Sequence, residues 1–262
     1  MKTMGRFFVS QAVLLCLAAL LTSCGQSEDN QTVDTVSEEE NSTSMFAMNT
    51  YVTVTAYGND TEAALSSAEE KIRSLESLWS VTDENSEIYA VNHSGGNPVE
   101  VSDETAQLLD FSLQMNERTN GAFDISLYPV LTAWGFTTEE YRVPDDDEIT
   151  QLLERTGVEK ISLDGQTVHV PDDMQIDLGA IGKGYAGDLV AEDLKQNGVK
   201  SALIDLGGNI QTVGTKPGGE SWSIGIRNPF GEGNFGVLEI GECAVVTSGG
   251  YERYFVEDGN TY

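Results

Sequence analysis

The chain has 262 residues, with 43 Asp and Glu against 14 Lys and Arg and a formal net charge of −29. So acidic a surface repels phosphate backbones, which excludes nucleic acid as a partner. The three cysteines are Cys16, Cys24 and Cys243, and the two histidines are His93 and His169. With Cys16 and Cys24 in an N-terminal leader region, no internal disulfide and no Cys/His metal cluster is possible, so any metal must be held by oxygen.

In chain order, Lys2 and Arg6 precede an apolar run from Phe7 to Leu21, too short to favour a permanent membrane span. It ends in Leu21-Thr22-Ser23-Cys24, an order similar to a bacterial lipobox. The expectation is a lipoprotein signal peptide over 1–23, lipidation at Cys24 and anchorage outside the cell membrane. Residues 24–45 are polar and acidic, cannot bury enough surface to offset ordering entropy, and are expected to form a flexible tether. The remainder, 46–262, is long enough for one large domain.

Alternation over Thr50–Tyr57 predicts a half-buried strand. Asn59 or Asp60 is then expected to cap a helix carrying Leu65, Ala68, Ile72, Leu75 and Trp79 on one face. A second helix is expected from Ser102, with Ala106, Leu109 and Leu113 buried. A third should follow Asp145, whose spacing to Glu148 fits a capping box, with Ile149, Leu152 and Leu153 facing inward. Asp164-Gly165 predicts a hairpin between Lys160–Leu163 and Thr167–Val170. Met174–Leu178 reads as a strand and 184–196 as a helix. Short strands are then expected at Ser201–Leu206, Trp222–Ile226, Phe235–Ile240, Ala244–Val246 and Glu252–Val256, and a turn at Asp258-Gly259. Without a regular βαβ repeat, this is a single α+β domain.

Gly182-Lys183-Gly184-Tyr185-Ala186-Gly187 satisfies the G-x-G-x-x-G pattern of dinucleotide folds. Gly179-Ala180-Ile181 separate it from the preceding strand, and no further βαβ units follow, so a Rossmann fold is disfavoured. Chemically, Asp177–Tyr185 is still a glycine-rich bend opening a helix, where backbone N–H groups and Lys183 suit an anion. The same residues also suit a plain structural turn with Lys183 in solvent.

Asp177–Tyr185, with Asp188, resembles the Asp-Leu-Gly-Gly/Ala-Ile-Ala-Lys-Gly-Tyr-x-x-Asp signature of ApbE-type FAD:protein FMN transferases. Asp205–Asn209 is similar to that family's Asp-Leu-Gly-Gly-Asn turn. Gly121–Asp124 and Leu131–Phe136 resemble its Gly-Ala-Phe-Asp and Trp-Gly-Phe stretch. Met48–Tyr51, Ser86–Ile88 with Asn92, Ile226–Pro229 and Thr247–Gly249 match in the same order.

The resemblance implies a single ApbE-like domain with FAD in a cleft. FAD would contact Met48, the residue at position 82, Ala122, Phe123, Asp124, Asp177 and Lys183, and Ala180 would offer its carbonyl to Mg²⁺. Read by themselves, Met48 and Phe123 also suit a core, and Asp124 and Asp177 also suit turns or caps. Trp79 and Trp134 read as packing residues. The sequence departs from the family at Asn49, usually Gly, at Thr82, often Tyr, and at Gly250, commonly Asp or Asn. The family also continues with a His-x-Ile-x-Asp-Pro segment and a late Asp and Thr at the metal site. None of these precedes Tyr262, so the sequence reads as C-terminally incomplete, with weak or no turnover expected. The implied activity is Mg²⁺-dependent transfer of FMN from FAD to a threonine of an acceptor redox protein, with AMP released. The alternatives are an FAD pyrophosphatase and a non-enzymatic lipoprotein binding flavin or another solute.

Overall fold

The computed structural model describes residues 37–250 and 253–262; the leader, Cys24 and most of the tether lie outside these. Among the described residues, no helix is long and apolar enough to cross a membrane.

The first element corrects the expected tether. Strand β1 (Glu40–Ala47) pairs along its whole length with β2 (Thr50–Tyr57). Its residues Glu-Asn-Ser-Thr-Ser carry no apolar signal because β1 is the edge of the sheet, with only Met45 and Ala47 buried. The ladder holds it, together with hydroxyl and carboxylate bonds such as Ser44 to Thr53 and Thr43 to Glu69. Side-chain alternation alone therefore could not reveal the strand.

β2 continues into an antiparallel sheet of order β1-β2-β6-β7-β10, with β6 Ala202–Leu206, β7 Asn209–Val213 and β10 Ala244–Val246. One face is apolar by strict alternation: Val52, Val54 and Ala56 from β2, and Ala202, Ile204 and Leu206 from β6. Helices α1 (Glu62–Trp79) and α6 (Gly182–Gln196) pack on it. Leu65, Ala68, Ile72 and Leu75 form the buried stripe of α1, and full burial of each large side chain contributes about 1.5–3 kcal/mol. The α1 cap differs from expectation. Asp60 turns through a left-handed conformation (φ 59°), and Thr61 is the N-cap without capping through its side chain. Its hydroxyl instead accepts from Asn41 of β1 at 3.0 Å.

The same core extends under a smaller antiparallel sheet, β3-β5-β4, of Val99–Glu100, Thr167–His169 and Ser162–Asp164. Gly165, with φ 60°, opens its two-residue turn. Lys160 belongs to a 3₁₀ turn, and the strand begins at Ser162. Helices α2 (Glu87–Asn92) and α3 (Asp103–Arg118) complete this part; α3 starts at its Ser102 cap as expected. Helix α4 (Tyr128–Ala133) begins with Pro129 in its first turn. In α5 (Asp146–Leu153), Asp145 accepts from the Glu148 N–H at 2.7 Å. The reciprocal half of the capping box is absent because Arg142 takes the Glu148 carboxylate. The expected inward face of α5 is only partly covered, and Leu153 is 47% exposed.

Met174–Leu178 joins no ladder among the described residues. The Asn92 side chain serves both groups of Ile176, accepting from its N–H at 2.8 Å and donating to its carbonyl at 2.9 Å. A buried amide thus substitutes for a neighbouring strand. The last expected strand also shifts: β11 (Val256–Glu257) pairs with β12 (Asn260–Thr261) around Asp258-Gly259. A separate hairpin of β8 (Trp222–Arg227) and β9 (Asn234–Ile240) meets the main sheet where Trp222 packs on Tyr57. Every strand pair among the described residues is antiparallel, which excludes the Rossmann reading of Gly182–Gly187.

Candidate functional site

Two turns at one end of the main sheet define the site. Met48 and Asn49, between β1 and β2, have φ of 51° and 57°, the left-handed pair of a type I′ turn. Such backbone favours Gly, and Asn is among the side chains that tolerate it, which accommodates Asn49 here. The Met48 N–H donates to Glu76 of α1 at 2.7 Å, tying the turn to the core. Gly207 and Gly208, between β6 and β7, are also left-handed (φ 68° and 86°). A Cβ on Gly207 would lie 1.9 Å from the Thr50 hydroxyl, so the two turns abut closely enough to require glycine. Asp205 braces the second turn, accepting from the Gly208 N–H at 2.7 Å.

Helix α6 begins beside them. Its N-cap is Ile181, with no side-chain cap; the Gly182 N–H donates to the Leu178 carbonyl at 2.7 Å, which leaves the first-turn N–H groups of Lys183 and Gly184 to suit an anion. Gly184 faces Asn209 across the gap. Burial lowers the Lys183 ammonium below its ordinary pKa, the positive charge of Arg253 lowers it further, and Asp177 partly opposes both.

Asp177 is placed by a chain of local bonds. Its N–H donates to the Ile125 carbonyl at 2.8 Å, joining the 122–127 and 174–180 loops. Its Oδ1 accepts from the Gly179 N–H at 2.9 Å and forms the bend. Asp124 accepts from the Ser126 N–H at 2.7 Å, capping the 3₁₀ turn Ile125–Leu127. Phe123 leans on the core and its carbonyl accepts from Asn116. The motif residues Ser86 and Glu87 also act structurally: Ser86 caps α2, and the Glu87 carboxylate accepts from the N–H and hydroxyl of Ser102. Trp79 is buried, donating to Thr105, as a packing residue would. Trp134 packs on Phe255 and Tyr262.

The turns, the α6 start and the β8–β9 hairpin enclose a cleft of about 1000 Å³. Of the residues inferred from sequence, Lys183 lines it. Met48 adjoins it through Asn49, and Asp177 acts on Lys183 through its charge. Ala122, Phe123, Asp124, Ala180 and the exposed Thr82 are not among its lining residues. Arg227 and Arg253 do line the cleft, and sequence reasoning assigned neither a role. The available signal was their scarcity, since the chain has few cations and both sit in or beside matched motifs.

For a divalent cation the bend offers the carbonyl of exposed Ala180 and the carboxylate of Asp177. No group of three or more His, Cys, Asp or Glu side chains able to hold a metal converges among the described residues. These oxygens alone do not complete the six or so ligands a hard cation takes.

The sequence model of the ApbE family matches residues 48–262. The chain belongs to the ApbE family. It is 36% identical over 212 residues to an FAD:protein FMN transferase of Klebsiella pneumoniae, covering 79% of this chain and 65% of that protein. An FAD:protein FMN transferase of Treponema pallidum is 32% identical, covering 95% of this chain and 73% of that protein. The crystal structure of the ApbE protein of Thermotoga maritima superposes with a TM-score of 0.82 at 32% identity, covering 86% of this chain and 75% of that one. The α+β fold is that of the ApbE structures, and the chain spans somewhat less than two thirds of the Klebsiella relative.

Proposed function

We propose that this chain acts as an FAD:protein FMN transferase. The observation that carries the reading is the cleft lined by Lys183, Arg227 and Arg253, beside a helix start without a side-chain cap, in a member of the ApbE family. In a protein of net charge −29, cations gathered at one cleft suit a polyanion, and FAD presents a diphosphate.

The reaction proposed is attack by a threonine hydroxyl of an acceptor redox protein on the FMN-side phosphorus of FAD. A new P–O bond to threonine forms, the bond to the bridging oxygen breaks, AMP departs, and the hydroxyl proton is released. Lys183 and the α6 N–H groups would steady charge on the phosphate oxygens, whose stabilisation dominates such transfers. Mg²⁺ dependence is part of the proposal, with Ala180 as one ligand; a bound cation would add charge neutralisation at the diphosphate. Met48, Phe123, Asp124 and Asp177 are proposed to shape the flavin-binding side. A lipid anchor at Cys24, holding the enzyme outside the membrane beside its acceptor, completes the reading.

The test is incubation of the purified full-length protein with FAD, Mg²⁺ and a threonine-bearing acceptor domain. Covalent flavin fluorescence on the acceptor band is expected, falling at least about tenfold in Lys183→Met, because a charge-assisted phosphate contact is lost. Free FMN and AMP without labelling would indicate a pyrophosphatase. Failure of the protein to bind FAD at all would overturn the reading.

A further inference from the structure

We propose that Arg253 is a second diphosphate-binding residue, lining the same cleft as Lys183 and conferring preference for FAD over flavin monophosphate. The inference rests on the FAD reading above and adds a residue that neither the bend motif nor the helix start identifies.

Arg253 is aimed rather than loose. Its Nη2 donates to the Asn49 carbonyl at 3.2 Å. That carbonyl belongs to the left-handed turn, which the β1–β2 ladder and the Met48–Glu76 bond hold in place. The bond uses one of the five guanidinium donors, and the flat fork that remains suits bidentate contact with phosphate oxygens.

Among the described residues Arg253 forms no ion pair, although the chain carries three times as many acids as bases. Among the described residues, Asp205 is the sole carboxylate lining the cleft, and its Oδ1 accepts from the Gly208 N–H. Burial lowers the Lys183 pKa from its ordinary value, and the nearby positive charge of Arg253 lowers it further. Two like charges held toward one void leave a positive potential that a single phosphate only partly satisfies. A diphosphate, with charge on both phosphorus centres, can meet both cations at once.

The experiment measures FAD and FMN affinity for the wild-type protein, Arg253→Gln and Arg253→Lys by flavin fluorescence, with inorganic pyrophosphate as competitor. Arg253→Gln is expected to weaken FAD about tenfold to a hundredfold, the usual weight of a charge-assisted contact. FMN should weaken by less than about threefold on the same grounds, and pyrophosphate should lose its ability to displace FAD. Arg253→Lys should recover only part of the loss, since charge returns without the fork. Unchanged FAD affinity in Arg253→Gln, or equal weakening of FAD and FMN, would overturn the proposal. Because Arg253 is exposed, its substitution should leave the thermal unfolding midpoint unchanged. Were Arg253→Gln to unfold, pyrophosphate competition in Arg253→Lys would decide. Wild-type protein that ignores FAD brings down the functional reading itself; wild-type binding with an indifferent Arg253→Gln removes only this inference.

Discussion

The two sides of the cleft are built differently. One is the α1–sheet–α6 body, where Ile72, Val52, Val54, Ile204 and Leu206 are fully enclosed. The other is the β8–β9 hairpin side, where Phe230 is 94% exposed and Phe235 78%. The body supplies fixed geometry: two abutting left-handed turns and the start of α6. The hairpin supplies Arg227, and most of its outer strand β9 is exposed. Lys183 stands on the rigid side and Arg253 reaches it through one hydrogen bond to Asn49. A site assembled this way has position set by one wall and adaptability left to the other.

Substitutions can test the contrast. The largest effect is expected for Ile204→Ala, beneath the site: a loss of about 2–5 kcal/mol in urea unfolding, with FAD binding lost in parallel. A cost below about 1 kcal/mol would mean that the body is less tightly packed than described. Gly207→Ala comes next, at about 1–3 kcal/mol, because a left-handed residue gains a Cβ against Thr50. Thr50→Ala should relieve part of that cost by removing the hydroxyl, and a double variant no more stable than Gly207→Ala alone would place the strain elsewhere. Phe230→Ser should be the mildest, within about 0.5 kcal/mol of wild type by the same measurement. A clear destabilisation there would show that the exposed wall carries packing energy after all.

Much of the site was legible before folding because its residues are close in sequence. Asp177 to Lys183 forms a bend through one Asx bond and the start of a helix, and both follow from local chemistry. The amphipathic stripe of α1, the start of α3 near Ser102, the Asp145 cap and the Asp258-Gly259 turn were readable for the same reason. Strand β1 was not, since an edge strand held by its ladder and hydroxyls needs no hydrophobic alternation. The ladder-free stretch at Met174–Leu178 was misread because the Asn92 amide that replaces its neighbour lies 84 positions away from Ile176.

By itself, then, the order of residues determined the family, the anion-suited bend and the apolar faces of the principal helices, because each depends on neighbours a few positions apart. Only the tertiary structure decided that Met48–Asn49 and Gly207–Gly208 would meet, and that Arg253 would hang from Asn49 in the same cleft as Lys183. Those encounters join residues up to 204 positions apart, and long-range pairing of the strands, not local preference, brings such groups together.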